Sequence, residues 1–85
     1  MRFTVGNTYY LKWGMKNNGS DYPISLYKII VKSDKDISVH RTSMITGTSK
    51  FLEDDNIFYS LKDFNKEFDS GYLIVTQLEY LGYLI

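Results

Sequence analysis

Alternation of apolar and polar residues is the first readable pattern in the chain. In Thr8-Tyr9-Tyr10-Leu11-Lys12-Trp13, Tyr9, Leu11 and Trp13 fall on one face and Tyr10 and Lys12 on the other, the period-two signature of a strand. Phe3 and Val5 are expected to extend it across a turn or bulge at Gly6-Asn7. Gly14 to Pro23 then gathers Asn17, Asn18, Gly19, Ser20 and Asp21, residues that tolerate or pre-set turn dihedrals, and reads as the longest loop. Ile24 to Lys32 is β-branched and apolar on both faces toward its end, which suits a strand covered on both sides, in the middle of a sheet. Ser33-Asp34-Lys35-Asp36 turns into a third alternating run, Ile37 to Ile45, so strands two and three are predicted to form a hairpin.

The pattern breaks at Thr46-Gly47-Thr48-Ser49. Phe51-Leu52 reads as a short strand, Glu53 to Asn56 as a turn and Ile57-Phe58-Tyr59 as an irregular apolar segment. Ser60 followed three residues later by Asp63 is a helix-start signal, with Tyr59 and Phe64 at the two positions of a hydrophobic staple. Leu61, Phe64 and Phe68 share one helical face and Gly71 supplies a stop, which predicts a short helix over residues 61–69. Tyr72 to Leu78 reads as a strand. Glu79 to Ile85 is too apolar to stay in water and is expected to pair as a further strand, within the monomer or across a homodimer. The fold class is therefore α+β: a small antiparallel sheet of four to five strands with one short helix. The alternative is an SH3-like small β-barrel in which that helix plugs the gap between the last strands.

Length and composition confine this picture to one domain. A chain of 85 residues buries only about 60% of its unfolded surface and cannot divide that core in two. Five Phe, eight Tyr and one Trp imply that large rings supply much of the core. With no cysteine there is no disulfide, thiolate metal site or cysteine nucleophile, and a cytoplasmic setting is expected. Met1 to Trp13 lacks the apolar run of a signal peptide, and no stretch approaches the roughly 20 apolar residues of a membrane span, so no membrane partner is expected and Asn18-Gly19-Ser20 reads as a turn. Charge cancels overall but not locally. Residues 1–50 carry eight Lys or Arg against three Asp, a net +5, and residues 51–85 carry two Lys against seven Asp or Glu, a net −5.

Candidate chemistry is sparse. Proton relay through a Ser-His-Asp arrangement would have to use His40, the single histidine, which lies mid-strand with no nucleophile motif around it. The acidic pairs and runs, Asp34 with Asp36 and Glu53-Asp54-Asp55, lack the glycine and distal glutamate of a calcium loop, and the isolated glycines form no phosphate loop. No enzyme activity, metal or cofactor is expected.

Two surfaces could bind instead. Tyr10, Trp13, Tyr22, Lys28 and Arg41 mix rings and cations, the combination with which small β domains hold single-stranded nucleic acid. Glu53, Asp54 and Asp55, with Asp63, Glu67 and Asp69, could present an acidic face to a groove that otherwise holds phosphates. Lysine outnumbers arginine eight to two, alanine is absent, and Ile, Tyr, Asn, Lys and Phe are plentiful. In this AT-rich style the chain resembles accessory proteins of phages and mobile elements from low-GC bacteria. That resemblance implies a protein-binding inhibitor of a host defence or nucleic-acid-processing complex; it carries no motif and assigns no residue.

Overall fold

A computed structural model of the chain describes residues 3–14, 23–51, 60–68 and 71–85. Among these residues, five strands and two helices follow one another as β1 (Thr8–Trp13), β2 (Ser25–Ser33), β3 (Asp36–Ser43), β4 (Ser49–Phe51), α1 (Leu61–Glu67), β5 (Tyr72–Val75) and α2 (Gln77–Leu84). The strands make one antiparallel sheet in the order β4-β3-β2-β1-β5. The expected β2–β3 hairpin is present, with an irregularity between Val31 and Ser33, and β2 takes the central position. Most of the long loop after Gly14, including Tyr22, lies outside the described residues. So does the segment holding Leu52, Glu53, Asp54, Asp55 and Tyr59.

The barrel alternative is corrected. α1 does stand between the last two strands, but β4 and β5 are the opposite edges of the sheet and do not pair, so the sheet stays open. The second correction concerns the C-terminal segment, which is a helix and not a strand. Thr76 caps it: its hydroxyl accepts from the Glu79 amide at 3.1 Å, and the T-x-x-E spacing is the capping-box signal. That cap also ends β5 at Val75, three residues before the predicted limit at Leu78.

Residues directly opposite in an antiparallel ladder share a face, so the register assigns every strand side chain to one of two layers. Leu11 pairs with Tyr27, and Ile29 with Val39; with Val31 these form the face that α1 covers. Phe64 of α1 and its C-cap Phe68 pack their rings 4.7 Å apart and meet Phe3 and Tyr27 edge-on, with centroids 4.9 Å (Phe3–Phe64) and 5.5 Å (Tyr27–Phe68) apart. Phe3 extends no strand. It is a buried plug, held by Asn65 of α1, whose Oδ1 accepts from the Phe3 amide at 2.6 Å and whose Nδ2 donates to the Phe3 carbonyl at 3.3 Å.

The start of α1 is fixed twice. Ser60 Oγ accepts from the Asp63 amide at 3.3 Å, as the sequence signal predicts, and the Leu61 amide donates to the Asp34 carbonyl at 2.8 Å in the β2–β3 turn. Gly14, at φ +71°, closes the end of β1 where a Cβ would lie 2.8 Å from Ile24 Cδ1.

Phe64 joins the helix to Phe3 and the sheet with no exposed surface. Phe64→Ala should cost about 3–5 kcal/mol, a large part of the roughly 5–15 kcal/mol that holds a small domain together. Urea unfolding followed by far-ultraviolet circular dichroism checks this; a loss below about 1 kcal/mol would show that α1 is not part of the core.

Candidate functional site

The opposite face of the sheet is covered by α2. Lys12, Leu26 and Thr42 are successive partners across β1, β2 and β3, and α2 lies over this row. Lys12 Nζ donates to the Tyr83 hydroxyl at 3.3 Å and sits 3.7 Å from Glu79 Oε2, while the Tyr80 hydroxyl is hydrogen-bonded with Thr42. Tyr80 also packs on Tyr10, with ring centroids 4.8 Å apart. Burial pushes the Tyr80 phenol up, and the bond with Thr42 only partly opposes it. The inner side of α2 is thus made of tyrosines, whose rings fill space and whose hydroxyls satisfy the polar side chains beneath them.

This arrangement divides the predicted basic aromatic surface. Tyr10 and Lys28 pair across β1 and β2 on the α2 side, with Tyr10 under Tyr80. Trp13 and Arg41 belong to the α1 side, Trp13 paired with Ser25 and Arg41 with Tyr27. No single face carries all four. Trp13 and Tyr72 have centroids 6.1 Å apart, and Tyr72 continues to Tyr27 at 5.5 Å and Phe68 at 4.6 Å, so Trp13 ends an aromatic row rooted in the core.

Arg41 donates to Ser25 Oγ from Nε at 3.4 Å and Nη2 at 3.3 Å, and its partner across the β3–β4 ladder is Lys50, a second cation. Of the acidic candidates, Asp63 serves the α1 cap, where Ser60 Oγ donates to its Oδ2 at 3.1 Å, and Glu67 is exposed at the end of the helix. Glu53, Asp54, Asp55 and Asp69 lie outside the described residues.

His40 pairs with Lys28 on the α2 side of the sheet, half-buried. Among the described residues no three His, Asp or Glu side chains converge to hold a metal ion. A groove of about 390 Å³ runs between the end of α2 and the β3–β4 turn, lined by the hydroxyls of Thr42, Ser43 and Ser49 and by Tyr83, Leu84 and Ile85. Thr42 and Ser49 bond to each other at 3.0 Å, and among the described residues no Asp, Glu or His side chain lines the groove. No helix among the described residues is long and apolar enough to cross a membrane.

The prominent surface feature lies on α2. On α2, Leu78 is 82% exposed, Leu81 45% and Leu84 44%, the C-cap Ile85 is 104% exposed, and at Gly82 an added Cβ would meet nothing within 4 Å. With Tyr80 and Tyr83 turned to the sheet, Leu78, Gly82 and Ile85 mark the outer side of the helix. Comparison with protein-family models, curated proteins and solved structures finds no match.

The Tyr72 phenol is pushed up to about 12, first by burial and then by the neighbouring Tyr27. A neutral phenol favoured in the fold contributes stability that is complete below its ordinary value of 10.0 and disappears as pH rises through about 12. Melting temperature measured from pH 9 to 12 should therefore fall less steeply in Tyr72→Phe than in the wild type; equal slopes would remove Tyr72 from the alkaline transition.

Proposed function

We propose that the chain is a non-enzymatic protein-binding module that engages its partner through the outer face of α2. The observation that carries this reading is the exposure of Leu78, Leu81 and Ile85 on a helix whose inner side is already satisfied by the sheet. A helix apolar on both sides belongs between two surfaces, and an exposed apolar patch on a small domain marks an interaction site. α2 carries no Lys or Arg, so anionic lipid headgroups would find no counter-charge on it, and a protein surface is the better-matched occupant.

The compositional resemblance to phage and mobile-element accessory proteins supports a partner among host defence or nucleic-acid-processing complexes, with this chain as the inhibitor. Binding of single-stranded nucleic acid remains the competing reading. It draws less support from a basic aromatic set divided between two covered faces.

The test is affinity capture from cells of the source organism, with partners identified by mass spectrometry. Leu78→Glu with Leu81→Glu should abolish capture of the partner while moving the melting temperature by only a few degrees, because both side chains are exposed and surface changes cost about 0.5 kcal/mol or less. Undiminished capture would exclude the α2 face. A salt-sensitive shift of single-stranded DNA, weakened by Arg41→Ala, would move the function to the nucleic-acid reading.

A further inference from the structure

The two edges of the sheet are built differently. β4 is three residues long and carries Lys50 at its centre, and a short edge with a lysine resists pairing with another chain. β5 is Tyr72-Leu73-Ile74-Val75, without a charge or a proline. On one side it pairs with β1; no described strand pairs with the other. Leu73, opposite Lys12, lies on the α2 face and is 59% exposed; Ile74, opposite Leu11, lies on the α1 face and is 54% exposed. Both faces of this edge are therefore apolar and open.

We propose that the β5 edge pairs antiparallel with β5 of a second copy of the chain, giving a two-fold dimer with one continuous ten-stranded sheet. Two identical edges related by a two-fold axis perpendicular to the sheet are antiparallel by symmetry, and an edge with no charge meets its own copy without like-charge contact. The same symmetry preserves the faces, so both α2 helices lie on one side of the dimer sheet. With strands about 4.8 Å apart, β1 and its mate stand about 14 Å from each other. That exceeds the ~10 Å width of a helix with side chains, which leaves a trough over the seam for Leu73 of each copy. Four residues of edge and two apolar side chains per copy are less than a standard interface buries, so the dimer is expected to dissociate in the micromolar range. This surface is separate from the outer face of α2 and would present two such faces together.

Sedimentation velocity from about 5 to about 500 μM should show the mass rising from one 10.0 kDa chain toward two. Ile74→Lys should raise the dissociation constant at least about tenfold, while Leu78→Glu with Leu81→Glu should leave it unchanged, which separates this interface from the one proposed for the partner. A wild type that stays monomeric throughout, or an Ile74→Lys chain that dimerises as tightly as the wild type, would overturn the proposal. If Ile74→Lys loses its circular dichroism signal, hydrogen exchange of the wild type decides: protection of β5 amides that grows with concentration supports edge pairing, and unchanged protection refutes it.

Discussion

The fold depends on the contact of Phe64 and Phe68 with Phe3 and Tyr27. These four rings come from α1, from the segment before β1 and from the central strand, and they close one face of a sheet that would otherwise be open to water. The sheet supplies the aliphatic part of this core, Leu11, Ile29, Val31 and Val39, and α1 and Phe3 close it by ring-on-ring packing. Such packing tolerates few alternative arrangements. Asn65 adds direction to it: by bonding both the amide and the carbonyl of Phe3, it satisfies backbone groups that would be costly to bury unpaired and fixes where the chain enters the core.

Once α1 takes one face, the alternation of the strands delivers the other face to α2. The two helices meet different chemistry. Beneath α1 lie aliphatic and aromatic side chains, so phenylalanine suffices. Beneath α2 lie Lys12 and Thr42 beside Leu26, so the cover needs hydroxyls as well as rings, and Tyr80 and Tyr83 provide both. Lys12 is half-buried there with Tyr83 and Glu79 among its partners, which accounts for a cation in the second strand position from the end of β1 without any ligand.

Much of this was legible in the sequence. Strand β1 and the start of α1 lie where alternation and the Ser60-Asp63 cap predict them, because local backbone preference and burial agree there. The division of the basic aromatic surface was partly legible too: Tyr10 and Trp13 stand three residues apart in one strand and cannot share a face, whereas placing Lys28 against Arg41 requires the register between strands. α2 does not read as a helix in the sequence because the apolar residues of this segment, at 78, 80, 81, 83, 84 and 85, are too dense to show a helical period. The Thr76-x-x-Glu79 capping signal was present and resolves the ambiguity. The open sheet, in contrast, is set by which strands end as edges, a long-range outcome that no local pattern encodes.

The density that hid the helix is also what gives the C-terminal third its significance. A helix that served only to cover the sheet could place charges at Leu78, Leu81 and Ile85 at no cost to packing, since those positions touch solvent. Likewise, β5 could carry a lysine, as β4 does, without losing its ladder to β1. Neither does. The apolar character of these neighbouring elements exceeds what the monomer's own core requires. Single exposed apolar residues such as Val5 and Ile45 occur elsewhere, but an excess gathered on one edge and the helix that follows it is the pattern expected where surfaces, and not side chains of the same domain, supply the missing contacts.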